Sequence, residues 1–327
     1  MQSILLKALQ LLCTLASGID KRKKLFILIY HRVLDEPDAM RPWEIDKKTF
    51  SWQMELIAKY FNVMAFGEAI ERMNNDTLPP RAMCITFDDG YADNYTNTLP
   101  ILLKNKLSAI FFIASGYLNG GRMWNDSVIE SLRAMQAIEL DLTEIGLDKY
   151  DINSPQKKAS VAIEIIQKIK HLEPNIRSQY TDYIVALENN KLPDNLMMST
   201  QQLIKLHGSG MEIGGHTVTH PILAALELDA VKQEVCDNKI TLEKMLNTKL
   251  RYFAYPNGKP EQDYLIEQIQ VIKNCNYEAA VSTLPRVSTA HNDRWQLARF
   301  TPWDKNPIKF MLRIVMKYLD FRLSGYR

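Results

Sequence analysis

The chain lacks several features that would define a protein class at once. Lysine and arginine (40) nearly balance aspartate and glutamate (38), and a net charge of +2 argues against a dedicated nucleic-acid-binding protein. The four cysteines have no C-x-x-C spacing, so neither a zinc ribbon nor a redox pair is indicated. No repeat or low-complexity tract stands out. A globular protein of 327 residues remains.

Long apolar runs are also missing. Residues 4–16 are mostly apolar but include Lys7, and about 13 residues are too few to span a bilayer. The basic run 21–24 follows this segment, which is the wrong order for a secretory signal. We therefore expect residues 1–24 to form an N-terminal amphipathic segment. The expected location is the cytoplasm, with peripheral contact to the inner membrane; an exported, periplasmic protein is the alternative.

The C-terminal segment has a similar character. Residues 304–327 are predicted to form a basic amphipathic helix, with Lys309, Arg313 and Lys317 spaced i,i+4 along one stripe. For the C-terminal segment, we favour packing onto the body of the protein over membrane contact; for the N-terminal segment, packing on the body of the protein and contact with a membrane surface both stay open.

Two adjacent carboxylates, Asp88 and Asp89, follow the apolar run 82–87, which predicts a buried strand of a parallel sheet. Neighbouring carboxylates at a strand end repel each other and lose hydration. They are tolerated where a cation lies between them, or where one of them needs a shifted pKa for acid–base chemistry. Because such pairs also occur as ordinary loop starts, this motif alone leaves both interpretations open.

A pair of histidines, His216 and His220, follows a short apolar strand and two glycines. Two histidines four residues apart project to one face of a helical turn, and this spacing suits two ligands of one tetrahedral metal. Solvated or core histidines are the alternative for an isolated pair. With only six histidines in the chain and an Asp pair already present, we predict a metal site of Asp89, His216 and His220 with an open position for water.

A third motif spans residues 250–258. Arg251 opens a predicted strand, and Pro256 with Gly258 ends it in a tight turn. Such a turn can direct a backbone N–H outward as an anion donor, and an arginine can brace a carboxylate.

In order, the segments 86–90, 216–220 and 251–258 resemble the first three motifs of the polysaccharide deacetylase superfamily (carbohydrate esterase family four, the NodB-homology domain). The resemblance covers roughly residues 25–300. It implies a distorted (β/α)7 TIM-like barrel and removal of acetyl groups from N-acetylated sugars. It also implies one divalent metal, Zn²⁺ first, with Co²⁺, Ni²⁺ or Fe²⁺ as alternatives. The implied roles are general base for Asp88, zinc ligands for Asp89, His216 and His220, orientation of Asp88 for Arg251, and an oxyanion-binding N–H for Tyr255.

The general acid departs from the commoner family pattern. Many members supply it from a late Leu-x-His motif, but no histidine follows Arg299 in this chain. The segment Tyr30-His31-Arg32-Val33 instead resembles a permuted branch of the family with an early Tyr-His-Arg-Val motif. His31 ends a predicted strand, where barrel enzymes gather their catalytic residues, so we predict that it is the acid. A hydrogen-bonded packing residue is the alternative.

Apolar, β-prone segments alternate with helical ones over residues 25–303, as in a barrel. A charged helical insertion, 126–198, interrupts the alternation over the expected catalytic mouth. Trp124 near this mouth is a candidate for substrate stacking, and Arg299 at the end of the last strand is a candidate for binding substrate or holding a carboxylate. The predicted strands are 25–30, 61–65, 82–87, 109–114, 211–214, 252–255, 278–282 and 296–300; the predicted helices outside the insertion are 50–60, 67–74, 94–106, 228–246 and 262–274.

Three functions are consistent with these motifs. The first is a metal-dependent deacetylase acting on an N-acetylated glycan or glycolipid, in surface-polysaccharide biosynthesis. The second is an O-acetyl esterase or a non-sugar amidase that uses the same site. The third is an inactive carbohydrate-binding scaffold, and the intact Asp88, Asp89, His216, His220 and Arg251 argue against it.

Overall fold

A curled parallel sheet forms the centre of the protein. The computed structural model describes residues 2–18, 23–187 and 191–319; Lys21 and Arg22 of the predicted basic run lie outside this range. Seven strands build the sheet in the order β1-β5-β6-β9-β10-β11, with β4 also beside β5, and all its pairs are parallel. The strands are β1 (Leu25–Tyr30), β2 (Val33–Leu34), β3 (Ile45–Asp46), β4 (Asn62–Val63), β5 (Ala82–Phe87), β6 (Ile110–Ile113), β7 (Glu139–Asp141), β8 (Lys149–Asp151), β9 (Glu212–Gly215), β10 (Tyr252–Ala254) and β11 (Ala279–Val281).

Helices connect and cover these strands. The curled sheet with its covering helices confirms the predicted distorted barrel, and β1, β5 and α9 have the predicted boundaries. The predicted helix 94–106 is instead a π-helical turn (Asn94–Thr98) followed by α4, since Pro100 at its start has no N–H to donate. The helices are α1 (Gln2–Gly18), α2 (Lys47–Tyr60), α3 (Phe66–Asn74), α4 (Leu99–Lys104), α5 (Trp124–Ala134), α6 (Pro155–Ile169), α7 (Pro174–Ala186), α8 (Thr200–Gly208), α9 (Leu228–Leu246), α10 (Ile266–Asn274) and α11 (Pro307–Leu319).

The predicted strand 296–300 is wrong as a strand, although it lies where a closing strand would. Leu297 bridges to Val281 of β11, and Phe300 bridges to Leu28 of β1. Between them, the Arg299 N–H donates to the carbonyl of Leu284 at 3.0 Å, which interrupts the ladder. The segment therefore spans the gap between β11 and β1 through isolated bridges.

The segment predicted as an insertion contains α5, α6, α7 and the antiparallel β7–β8 hairpin, which share an apolar core of their own. A buried polar cluster joins α5 to the barrel. Arg41 donates to Asp126 at 2.8 Å and to Glu130 at 2.9 Å, and the Tyr91 hydroxyl donates to Asp126 at 3.1 Å. Because Arg41 and Asp126 are almost fully buried, these bonds fix α5 against the mouth of the barrel.

The two terminal helices pack against each other and against the barrel. The ammonium of Lys24 donates to the carbonyls of Ala16 and Tyr318, at 3.0 and 2.9 Å, and so binds the C-terminal ends of α1 and α11 together. In the described part of the chain, we find no helix with the length and apolar character needed to cross a membrane. The division of the chain at residues 24 and 303 stays a prediction.

A disulfide links Cys236 of α9 to Cys275 just after α10, with the two Cα atoms 5.6 Å apart. The two cysteines are separated by 39 residues in sequence, so spacing alone could not pair them.

Candidate active site

The carboxylate pair lies at the carboxyl end of β5. Asp88 continues the sheet, because its N–H donates to the carbonyl of Tyr30 at 3.0 Å. Asp89 then adopts a left-handed backbone (φ 76°), and Gly90 follows with φ 95°. A non-glycine residue in this region is strained, and such strain concentrates at functional sites. The turn leaves both carboxylates buried and close together at the end of the strand.

Arg299 is the counter-ion of Asp88. Its two Nη atoms donate to the two carboxylate oxygens, each at 2.7 Å, and neither side chain is more than 3% exposed. Nε donates to the carbonyl of Ser282 at 3.0 Å, which fixes the plane of the guanidinium. Burial alone would raise the pKa of Asp88, but Arg299 and His216 lower it below its ordinary value. Asp88 is therefore an oriented, ionised carboxylate at neutral pH.

The prediction that Arg251 orients Asp88 is wrong. Arg251 precedes β10, at the end of the barrel opposite to Asp88, and is 41% exposed. Its guanidinium donates to both carboxylate oxygens of Glu278 at 2.9 Å and reaches Glu71 at 3.4 Å. Since a strand rises about 3.3 Å per residue, the length of β10 separates this arginine from the catalytic end. For Arg299, the predicted role of holding a carboxylate is confirmed by its pair with Asp88. The predicted substrate contact does not fit, because the guanidinium is fully buried in that pair.

The three predicted metal ligands converge. Nε2 of His216 and Nε2 of His220 lie 3.3 and 3.4 Å from Oδ1 of Asp89, and the candidate ligand atoms are all within 4.8 Å of one another. Asp89 Oδ1 is buried, and no well-aligned hydrogen bond from a described residue reaches it. An acceptor oxygen in this condition is costly unless a cation or water binds it.

The two histidines are not on a helix, contrary to our expectation from their spacing. His216 directly follows β9, and residues 217–220 form a turn in which Thr217 and His220 have positive φ values of 66° and 52°. Two side chains of α9 hold this turn. The Glu234 carboxylate accepts from the N–H groups of Val218 and Thr219, both at 2.8 Å. Asn238 accepts from the N–H of His216 at 3.2 Å.

The hydrogen bonding of His216 and the neutral state of His220 fit a metal site. Nδ1 of His216 lies 2.7 Å from the carbonyl of Ala254, so a proton on Nδ1 leaves the Nε2 lone pair directed at Asp89. Burial lowers the pKa of His220 to about 4, which keeps this imidazole neutral. Burial also opposes a charge on His216, but Asp88 and Asp89 raise its pKa. One carboxylate and two imidazole nitrogens are the donor set of an open tetrahedral site for zinc or a similar cation.

His31 directly follows β1, and its side chain lines the same cleft as Asp88, Asp89, His216 and His220. The Asn94 side chain fixes its backbone by donating to the His31 carbonyl at 2.8 Å. His31 is partly exposed. Its predicted role as the general acid stays a prediction.

Tyr255 does not offer the predicted oxyanion donor. Its N–H donates to the carbonyl of Val281 at 3.3 Å, so the neighbouring strand already uses it. The Tyr255 ring is fully buried and stacks on Tyr264, with the ring centroids 3.7 Å apart. The backbone of the motif is extended up to Tyr255, and the N–H groups of an extended strand in a sheet donate to carbonyls of the neighbouring strand.

The cleft above these residues has a volume of about 390 Å³, within the range of small-ligand sites. Sequence reasoning missed most of its rim. Trp43 and Glu44, just before β3, form one side, and burial raises the pKa of Glu44. The α6 helix of the insertion also lines the cleft, through Ile163, Ile166 and Gln167.

Trp124, which we predicted to stack against the substrate, does not line the cleft. Its ring packs beside the core of the insertion, 4.9 Å from the guanidinium carbon of Arg177. The indole of Trp43 is instead 43% exposed at the cleft. A tryptophan does lie at the mouth, as predicted, but it is Trp43 and not Trp124. Trp124 is the first residue of α5, and its ring contacts Arg177 of α7.

Comparison with known proteins gives consistent matches. The family model "Polysaccharide deacetylase" matches residues 75–163 and 164–280. The putative polysaccharide deacetylase YxkH of Bacillus subtilis is 27% identical over 145 residues, 43% of this chain and 50% of the relative. This chain thus matches about half the length of that curated relative.

Two solved structures share the fold. The Streptococcus pyogenes deacetylase PplD in complex with acetate superposes with a TM-score of 0.61 and 20% identity, over 90% of this chain and 99% of that one. A de-N-acetylase from Aggregatibacter actinomycetemcomitans superposes with a TM-score of 0.56 and 16% identity, over 85% and 94% of the two chains.

Proposed function

This chain belongs to the polysaccharide deacetylase family, and we propose that it hydrolyses the acetamide group of an N-acetylated sugar with the help of one divalent cation, zinc first. One observation carries the proposal: an ionised carboxylate, Asp88, lies beside three converging metal ligands in one cleft. Asp89, His216 and His220 would hold the cation.

Such a cation supplies Lewis acidity, which acidifies water and polarises an acyl carbonyl. Residues of the chain carry out the proton transfers. Asp88, held ionised by Arg299, accepts a proton from the attacking water, and the water oxygen forms a bond to the acetyl carbon. His31 then donates a proton to the sugar nitrogen as the C–N bond breaks, since an amine leaves poorly without one. Acetate and the free amino sugar are the products.

The cleft supports a sugar substrate. Trp43 exposes an aromatic surface at the rim, and such a surface can stack against a sugar ring while the acetamide lies near Asp88. Polar groups at the rim, including Glu44 and Gln167, can bind hydroxyl groups. The names of the relatives, a polysaccharide deacetylase and a de-N-acetylase, support a polymeric N-acetylated substrate.

A separate observation supports a proposal about the compartment. The Cys236–Cys275 disulfide favours the exported alternative over the cytoplasm, because disulfides persist in oxidising environments. We therefore propose that the protein acts outside the cytoplasm.

The test is acetate release by the zinc-loaded protein from a panel of N-acetylated and O-acetylated glycans. We expect release from an N-acetylated member, and loss of that release in Asp88→Asn. Release from O-acetylated members alone would make the protein an esterase. No release from any member by a metal-loaded wild type would support the inactive scaffold.

A further inference from the structure

A stripe of apolar side chains on α1 is exposed. Ile4, Leu11 and Leu15 are 74%, 61% and 58% exposed, and their spacing places them along one face of the helix. Leu5 and Leu12 beside them are 42% and 47% exposed. The opposite face of α1 already packs into the protein through buried Leu9, Cys13 and Ala16. The exposed stripe is therefore additional to what the fold needs from this helix.

The neighbouring helix, α11, also has an exposed apolar stripe opposite a buried face. Leu312, Met316 and Leu319 are 43%, 59% and 40% exposed at i, i+4 and i+7, while its opposite face packs into the core. The two stripes lie on helices that pack side by side. Together they contribute eight of the twenty large apolar side chains that are exposed in the described ranges. Scattered exposed apolar residues are ordinary, but two apolar stripes on a pair of packed helices indicate an interaction surface.

The charge on these helices is of one sign. Neither helix contains an aspartate or a glutamate. Lys7 on α1 and Lys309 on α11 are exposed, and Lys317 is partly so. Arg313 is the exception, because it pairs with Asp304 at 2.6 Å. Apolar stripes with basic residues beside them fit an anionic lipid surface, where the leucines enter the interface and the lysines bind headgroups.

The same charges argue against a second copy as the occupant. A symmetric dimer through this surface would bring Lys7, Lys309 and Lys317 of both copies together without an acidic partner on either helix. We propose that the exposed side of α1 and α11, called here the α1–α11 face, binds the surface of an anionic lipid bilayer.

The α1 part of this face extends away from the catalytic end of the barrel. Ser17, at the end of α1, accepts from the N–H of Arg81 at 3.1 Å, just before β5 begins. Asp88 lies after the opposite end of the same strand, and a six-residue strand is about 20 Å long. The C-terminal end of α1 thus lies at the end of the barrel away from the catalytic residues.

The test is co-sedimentation of the full-length protein with vesicles of phosphatidylcholine alone and of phosphatidylcholine with phosphatidylglycerol. We expect binding to the anionic vesicles that weakens with salt. The double variant Leu11→Asp/Leu15→Asp should lose this binding at least tenfold, and Lys7→Glu/Lys309→Glu should lose it at low salt. Ile240→Asp/Ile266→Asp is the matched control, since these residues are 61% and 77% exposed on α9 and α10.

Several results would overturn the proposal. One is a wild type that does not bind anionic vesicles; another is an equal loss of binding in the control. Self-association of the wild type, lost in the leucine variant and without vesicle binding, would assign the face to a second copy. Thermal unfolding of each variant, followed by circular dichroism, separates a loss of binding from a loss of folding. None of these measurements depends on the catalytic activity.

Discussion

Arg299 and Asp88 form a bidentate ion pair across 211 positions of sequence, and the pair is almost completely buried. Removing either partner would leave an uncompensated charge inside the barrel, which typically costs about 3–5 kcal/mol. The pair therefore contributes to the fold as well as to the chemistry.

Replacing Arg299 by lysine keeps the charge but removes the bidentate geometry. Because burial then raises the pKa of Asp88 with less opposition, the acid limb of the kcat/KM profile should move to higher pH. We expect kcat to fall about 10²-fold, the lower range for a compromised general base. Arg251→Lys is the control and should leave the profile unchanged. A shift in the control and none in Arg299→Lys would restore Arg251 as the orienting residue.

Variants of the two aspartates should differ in how much metal they bind. Asp89→Asn weakens a direct ligand, so metal and activity should be lost together. Asp88→Asn should keep about one metal per chain but lose activity, since an amide cannot accept the proton of water. Metal analysis after dialysis measures both. Equal metal loss in the two variants would make Asp88 a ligand and leave the general base unassigned.

His31→Ala should discriminate between leaving groups. An amine needs a proton to leave, whereas an activated aryl alcohol does not. We expect hydrolysis of an N-acetyl substrate to fall roughly 10²–10⁴-fold, and hydrolysis of an activated aryl acetate to fall much less. Metal content should be unchanged. The same loss on both substrates would give His31 a structural role.

Glu234 should position the turn 217–220, and with it His220, without binding the metal itself. Glu234→Ala removes the acceptor for the N–H groups of Val218 and Thr219, so His220 should be less well placed. We expect metal affinity to fall about 10–100-fold, as for other supporting residues of metal sites, with activity rescued by excess metal. Asp237→Ala, an exposed carboxylate on the same helix, is the control. Unchanged metal affinity in Glu234→Ala would contradict this role.

Trp43→Ala should raise KM for a glycan about tenfold, which corresponds to about 1.4 kcal/mol of lost contact, and should change kcat little. Trp303→Ala is the matched control because Trp303 is 50% exposed away from the cleft. Steady-state kinetics separates the two constants. An equal rise of KM in both variants would rule out a specific contact at Trp43.

The parts of the site that depend on short-range sequence were predictable. A strand buried on both faces is apolar throughout, so the sequence shows that it ends where Asp88 begins, and the predicted metal ligands follow short recognisable segments. The conformation of residues 216–220 was not predictable, because a four-residue spacing suits a helical turn and this irregular turn equally. Their positive φ values depend on acceptors from α9 that are distant in sequence.

Which of two arginines pairs with Asp88 was equally hard to predict from local sequence. Arg251 and Arg299 both accompany β-prone segments, and only the three-dimensional position of each segment decides which of them reaches Asp88. The sequence places Arg251 at the start of its strand and Arg299 at the end of its own. Because parallel strands bring their carboxyl ends to one edge, strand polarity supported the prediction that Arg299 could hold a carboxylate. The same argument could have excluded Arg251 as the partner of Asp88.

The segment 297–300 closes the gap between the last and first strands, and it also carries Arg299. The ionised state of Asp88 consequently depends on the completed barrel as well as on the motif around it. During synthesis, a chain that ends before this segment contains Asp88, Asp89, His216 and His220 but lacks the counter-ion of Asp88. The buried carboxylate is therefore compensated only when the residues beyond β11 have joined the sheet.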